Sequence, residues 1–576
     1  MDPVWSLGAL LFSNAAPGGG KALLKPSDVV FMYHAGAEVY QAYGATVLAW
    51  GGSPEGVPAG VTCFGSVGMV TEFARYYERF PETYEQALCR TVEGQPIQVP
   101  WLTDHRHQGI PYWWCCTNQP QFQQYLRERV QETVRQGADG VHIDDHLGTA
   151  GSLHAGGCFC DRCLSGFRAY LQALPEAHRQ ALGLPDLASF DYRAYLAEWL
   201  RQPGHRESNL WERPLWAEWE AYHLQAAAAF MAELKALAAE TAGRPVPFSA
   251  NAGLLWYPHL TDYQVLDFFS AEIDHEAASR RFSDLPLLAY RLAEGLGRPL
   301  AATASGWDWA FVKEHDLDGL VRGWIAESYA AGQFFMAPHY QWCYTSEKGT
   351  HWYHGPTESY APLYRFVREH ADLFDGYTTL ADVGVLYSHT RVRRNRQPLV
   401  EACAALARAN ISFRLLVAGD ALLDHPLSAE ALASVPGVLA VDPADLEAVA
   451  QAQPPLRSRL DSERAQGRLL GGVEEALAKV HPAVRVEGTD RVRALPRLKP
   501  GDSVVIHLLN RDYDPEADDV RPLHHVTVAL DPSAGGLATA DRCTLFVPGA
   551  EPQELPVLDH RVTVPELGLW AVLRWH

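Results

Sequence analysis

The chain has no run of about 18 uninterrupted apolar residues, the least that spans a bilayer as a helix. Its opening, Met1-Asp-Pro-Val-Trp-Ser6, carries neither the basic cluster nor the apolar core of a secretory leader. A soluble, cytoplasmic protein without a membrane partner is the expectation. Positive charge is scarce: 48 Lys and Arg stand against 69 Asp and Glu, a formal net charge of -21 over 576 residues. That balance offers no basic surface to phosphates, which argues against nucleic acid as a partner. No Gly-rich phosphate loop stands at a strand–helix junction, and Gly18-Gly-Gly20 reads as a turn. There is no His-Glu-x-x-His pair for a catalytic metal, and no internal repeat. The ten Cys are not spread like the framework of a small secreted domain, because five fall in two knots, Cys115-Cys116 and Cys158/Cys160/Cys163.

Aromatic rings, in contrast, are plentiful: 17 Trp and 24 Tyr, with 24 His beside them. Several Trp adjoin Gly, Pro or polar residues instead of forming helical stripes, a placement that suits rings lining a cleft and stacking on sugar faces. Trp50, Trp114, Trp256, Trp307 and Tyr340 are the candidates for such a platform, with Asn251 as a polar contact. His142 and His339 belong to a set of histidines whose ring nitrogens suit sugar hydroxyls.

Up to about residue 377, strand-like and helix-like runs alternate, as in a parallel sheet with covering helices. Eight candidate strands are counted: Val4–Phe12, Thr46–Trp50, Val61–Gly65, Gly140–Asp145, Val246–Asn251, Leu266–Ile273, Pro299–Thr303 and Gln333–Pro338. Eight in βα order predict a TIM barrel with its site at the C-terminal strand ends. Residues 120–136 read as a helix, with Phe122, Leu126, Val130 and Val134 on one face and Gly137 as the stop. Residues 378–483 read as a smaller α/β unit and 484–576, where helix signals vanish, as a β-sandwich.

Two motifs carry chemistry. Strand four ends in Val141-His-Ile-Asp-Asp145, and strand six ends in Ala271-Glu-Ile-Asp274. Glycoside hydrolysis needs a carboxyl pair either side of the scissile bond, about 5–5.5 Å apart for a covalent intermediate and about 6.5–9.5 Å apart for direct attack by water. Asp144 is assigned as nucleophile and Glu272 as general acid/base, with Asp145 as the rival nucleophile. Cys158-x-Cys160-x-x-Cys163 places three thiols within reach of one tetrahedral ion, and Cys116, at the start of the helix leading into strand four, is the fourth candidate. Structural Zn2+ is the expected occupant, since four thiolates leave no open position for catalysis. No organic cofactor is expected.

The run Cys116-Thr-Asn-Gln-Pro120, the acid-ended strand and Gly157-Cys-Phe-Cys-Asp-Arg-Cys-Leu-Ser-Gly-Phe-Arg168 together resemble the family 42 β-galactosidases. The segment Ala381–Ser388, with Ala409-Asn-Ile-Ser-Phe-Arg-Leu-Leu-Val417, resembles their flavodoxin-like trimerisation domain. The resemblance implies a barrel, a four-Cys zinc site, a homo-oligomer (trimer) and a small terminal β domain. It stops at the acids. Where that family carries Asn-Glu this chain has Asp145-His146, and Ala301-Ala-Thr-Ala-Ser-Gly-Trp-Asp308 lacks the Glu of its nucleophile. Gly140-Val-His-Ile-Asp144 instead resembles the α-galactosidase, α-glucosidase and dextranase-like barrels, whose nucleophile ends strand four and whose acid/base follows strand six. The expectation is a retaining exo-glycosidase on short oligosaccharides, with α-linkages favoured. The alternatives are a family 42-like β-galactosidase and a carbohydrate-binding or assembly protein without catalysis.

Overall fold

The computed structural model describes residues 23–184, 187–531 and 542–576. A parallel sheet of eight strands curls on itself in chain order: β1 (Val30–Phe31), β2 (Val47–Gly51), β3 (Thr62–Gly68), β4 (Gly140–Asp144), β5 (Phe248–Ala250), β6 (Phe268–Ile273), β7 (Leu300–Ala304) and β8 (Phe334–Phe335). Its edges meet where Phe31 bridges Ala337 and the Ala337 N–H donates to the Val30 carbonyl at 2.8 Å. β2 and β7 are buried on both faces, as strands must be when side chains fill the barrel and helices cover it. Phe64 reaches the ring of Phe268 at 5.0 Å, and Gly140 makes room for it, since a Cβ there would strike the Phe64 ring.

Seven of the eight expected strands are found where the sequence places them. The eighth expectation, Val4–Phe12, lies outside the described residues, and the strand that opens the barrel is Val30–Phe31. It lies in the five-residue apolar run Val29-Val-Phe-Met-Tyr33, which the longer run Val4–Phe12 displaced from the count of strands.

The helix α1 (Pro120–Arg135) starts on a proline, where the missing N–H costs nothing, and buries Phe122, Leu126, Val130 and Val134. It stops before Gly137, whose φ of 94° a side chain would resist. Between β4 and the long helix α2 (Trp216–Ala242) lies an insertion with a core of its own, built from Phe159, Phe167, Trp219 and the clustered Cys.

After the barrel, Phe413–Ala418, Val383–Ser388, Val438–Leu439 and Leu469–Leu470 form a parallel sheet in that order. Its second-first-third-fourth order is that of flavodoxin-like sheets. The helix α3 (Gln397–Arg408) lies in sequence between Val383–Ser388 and Phe413–Ala418. The C-terminal part pairs a six-stranded with a three-stranded antiparallel sheet over Ile506, Val528, Val564 and Trp575. Thr378–Thr379 pairs with Val492–Lys499, so one edge strand of the larger sheet precedes the small α/β unit in sequence.

Arg493 ties the C-terminal sheet to the barrel from a buried position, donating to Glu327 at 2.7 Å and bonding Asp284. Arg511 also reaches Glu327 at 3.0 Å and Asp284 at 3.2 Å, so removing Arg493 weakens the buried network without leaving either acid alone. Arg493→Ala is therefore expected to destabilise the chain by about 1–3 kcal/mol, read as a lower denaturant midpoint. An unchanged midpoint would show that Arg511 alone satisfies the two acids. Among the described residues, no helix is long and apolar enough to cross a membrane.

Candidate active site

β4 and β6 flank β5, and all three end at one mouth. Asp144 is the last residue of β4, Glu272 lies one residue before the end of β6, and Asn251 follows β5 directly. The Asn251 Nδ2 lies 3.3 Å from both Asp144 Oδ1 and Glu272 Oε2, so the two carboxylates stand within two hydrogen-bond lengths of each other. The Asn251 Oδ1 in turn accepts from the Glu272 N–H at 3.4 Å. The acids of strands four and six, read from sequence as a pair either side of the scissile bond, do not come from opposite walls of the barrel. β4 and β6 are next-but-one neighbours, and the β5 residue between them bridges their acids.

Burial and the Asp144 charge push the Glu272 carboxyl up to about 7. Burial also raises Asp144, opposed by the Asn251 amide, the Asp145 N–H and His146. One carboxyl of the pair is thus suited to hold a proton at neutral pH while its neighbour is ionised. Asp145 turns away at a φ of 52°, and its Oδ2 is buried without a partner. Burial, Asp144 and Glu272 together hold it well above the usual carboxylate range. It lines a cavity of about 190 Å³ with Trp101, Trp114, Trp256, His154 and His259.

The expected platform residues fall into three groups. Trp50 is only 8% exposed, lies flat on His142 at 4.4 Å and donates to Ser270 Oγ. His142 is fully buried, held neutral by burial, with Nδ1 3.0 Å from Ser249 Oγ. Both sit within the barrel as part of its packed interior. Trp114 and Trp256 wall the cavity beside Asp145: Trp114 donates to the Gly148 carbonyl at 3.1 Å, and Trp256 leans on His154 and His259 at 4.9 and 4.6 Å. Tyr340 stacks on Trp352 at 4.5 Å, with Tyr33 6.0 Å away, while His339 rests on Phe31 with Nε2 3.0 Å from the His34 carbonyl. Trp307 is 54% exposed and touches Tyr344, outside all three groups.

Sequence reasoning missed Tyr33, whose ring lies 6.0 Å from those of Trp50 and Tyr340 and whose hydroxyl is pushed up by burial and by the Glu272 and Asp144 charges. It follows β1, the strand that the count from sequence passed over. The buried His146–Asp262 contact, Nδ1 to Oδ2 at 2.7 Å, was missed as a pair because its members lie 116 positions apart.

Cys116, Cys158, Cys160 and Cys163 are buried, with all four Sγ within 4.8 Å of one another. Cys116 Sγ lies 3.5 Å from that of Cys163 and 3.8 Å from that of Cys160. A tetrahedral ion with bonds of about 2.3 Å to sulfur separates its ligands by about 3.8 Å, so the thiols have the spacing of a metal site. A disulfide would need about 2.05 Å, and all ten Cys are free. The Asn118 Nδ2 approaches Cys163 Sγ at 3.3 Å and the Gln119 Nε2 approaches Cys160 Sγ at 3.6 Å, the kind of donor that steadies metal-bound thiolates. A fifth thiol, Cys89, lies against Cys116 and Cys158.

No family model matches the chain. The α-agarases of Alteromonas agarilytica and Thalassotalea agarivorans are each 24% identical to it, over 93% and 96% of its length, and the chain spans 40% of each. In three dimensions it is similar to the β-galactosidase of Rahnella sp. R3, with a TM-score of 0.59 at 14% identity, covering 95% of this chain and 98% of that one. It is similar also to the β-galactosidase of the psychrophilic Marinomonas ef1, with a TM-score of 0.56 at 12% identity, covering 95% and 100%. At such identities the likeness is one of fold: the chain has the architecture of these β-galactosidases, with an acid pair at the ends of β4 and β6.

Proposed function

We propose that the chain is a retaining glycoside hydrolase that cleaves an α-linkage in an agar-type galactan, with Asp144 as nucleophile and Glu272 as acid/base. The observation that carries this reading is the Asn251 amide held 3.3 Å from both carboxylates, which favours the closer of the two spacings used by glycosidases. An Asp144 oxygen attacks the anomeric carbon while protonated Glu272 gives its proton to the departing oxygen. The Glu272 carboxylate then takes a proton from water, whose oxygen displaces Asp144 and restores both groups. The substrate class follows from the relatives at 24% identity, both named as α-agarases. Zn2+ at the four Cys would brace the insertion behind Trp114 and take no part in the reaction.

The test is hydrolysis of agarose-derived oligosaccharides and of α- and β-linked p-nitrophenyl galactosides, with the anomer of each product followed by NMR. Release of an α-configured product from an α-linkage supports the reading. Inversion, or turnover of β-galactosides alone, would sink it and return the fold likeness to β-galactosidases as the better guide. Product sizes distinguish release from the chain end, the expectation from sequence, from cleavage within the chain.

A further inference from the structure

The loop from Asn251 to Asp267, between β5 and β6, is gripped from two sides. On its inner side Asn251 holds the acid pair, Asp262 bonds His146, and Trp256 and His259 wall the cavity beside Asp145. On its outer side the barrel holds the end of the loop, through Arg298 to the Leu266 carbonyl and Lys235 to the Val265 carbonyl, and Tyr257 bonds Glu220. The small α/β unit grips the middle of the loop at several points. The Arg396 guanidinium, just before α3, donates to the Leu255 carbonyl at 2.6 Å. The Tyr263 hydroxyl lies 2.8 Å from His425 Nδ1 and 3.0 Å from the Asp424 carbonyl. Gln264 donates to that same carbonyl. Between these points Arg393 lies over the Tyr257 ring at 5.9 Å and is itself paired with Asp420 at 3.2 Å. Leu422 packs into one apolar cluster with Leu147 and Ala150 of the β4 loop, against which Trp256 also rests.

The loop has little regular structure of its own, a single 3-10 turn at Tyr257–Leu260. Its internal backbone bonds are short-range turns, such as Trp256 N–H to the Gly253 carbonyl and Val265 N–H to the Asp262 carbonyl, which shape the loop locally, so its position over the barrel also depends on the contacts at its edges. We propose that the small α/β unit is a working part of the active site, with Arg396 and the Asp424–His425 turn as positioning residues that set the Trp256 and His259 wall against the acid pair. The first half of this claim rests on the loop contacts alone, and the second rests on the function proposed above. Arg396 is exposed at the edge of the unit, so its removal leaves the core of either body intact.

The experiment compares the parent protein with Arg396→Ala, Arg396→Lys, Tyr263→Phe and the Arg396→Ala/Tyr263→Phe double variant. Amide hydrogen exchange, measured without any ligand, is expected to quicken about 10-fold or more across residues 252–265 of the double variant, with β4 and β6 unchanged. With agarose-derived tetrasaccharide as probe, KM is expected to rise about 10-fold while kcat stays within about 2-fold, because Asn251 and the acids keep their own contacts. Arg396→Lys is expected to restore most of the loss. Unchanged exchange in the loop overturns the proposal whatever the protein hydrolyses. A quickened loop with KM and kcat both unchanged overturns the positioning role. If the parent turns over no glycoside, the proposed function fails, and the exchange data still decide whether the small unit holds the loop.

Discussion

Glu272→Gln is expected to lower kcat on substrates with poor leaving groups by about 10²–10⁴-fold, the usual contribution of a positioned acid. The effect should shrink on p-nitrophenyl glycosides, whose leaving oxygen needs little help. The pH profile carries the sharper signature. Burial and Asp144 lift the Glu272 carboxyl from its ordinary 4.5 to about 7, so the proton it must donate is present below that value and lost above it. Activity of the parent should therefore fall as pH rises through about 7, and the variant should lack that limb. The same shift predicts that stability, too, falls as pH rises. The folded state binds this proton more tightly than the unfolded chain does, so stability is greatest when the carboxyl is protonated and declines from about 4.5 to about 7. Glu272→Gln should then unfold at a higher temperature than the parent at pH 8, by an amount on the order of 1–3 kcal/mol. A variant that is both inactive and less stable would mean the carboxylate is held by partners that an amide cannot replace. Asp144→Asn should be at least as inactive, with chemical rescue by azide as the mark of a lost nucleophile.

The barrel was legible because seven of its strands sit inside apolar runs bounded by turn residues, even where the paired stretch is as short as Phe334–Phe335, and the acids because they end two of those strands. Asp144 and Glu272 could be paired from topology alone: in a closed parallel barrel every strand delivers its last residues to one rim. What the sequence could not show is distance around that rim, and so it did not show that Asn251 would stand between the two acids. Trp50 and His142 illustrate a different limit. An indole beside glycine suits a cleft, yet here β2 and β4 turn these rings onto each other inside the barrel, where burial is worth more than exposure to a ligand. Trp114 and Trp256, also chosen by their neighbours, do line a cavity. Local composition is the same in both cases. The deciding factor is which side of the strand end each ring leaves from, a property of the assembled barrel.

Cys163→Ser is expected to have the largest effect on stability. The thiol lies at the centre of a group whose members are all buried, in an insertion whose own core is small. A structural zinc site contributes about 10–16 kcal/mol of apparent binding free energy to the segment it ties. Even part of that loss should lower the unfolding midpoint by about 10 °C or more. The parent should carry one zinc per chain, released by a mercurial reagent with a matching rise in free thiols, and Cys163→Ser should carry much less. Local consequences should follow the contacts outward from the thiols. Cys116 precedes Thr117, whose N–H donates to Thr149 Oγ1 at 2.6 Å, and follows Cys115 and Trp114, whose indole donates to the Gly148 carbonyl. Loss of the metal should therefore loosen the β4 loop and the Trp114 wall first, seen as protease cuts between residues 146 and 215 while the C-terminal sheets stay resistant. Activity should fall as well, with KM more affected than kcat, because Asp144 ends a strand that keeps its partners on both sides. A parent protein purified without metal, as stable as Cys163→Ser, would instead make the four thiols a packed apolar cluster. Their spacing would then reflect burial alone.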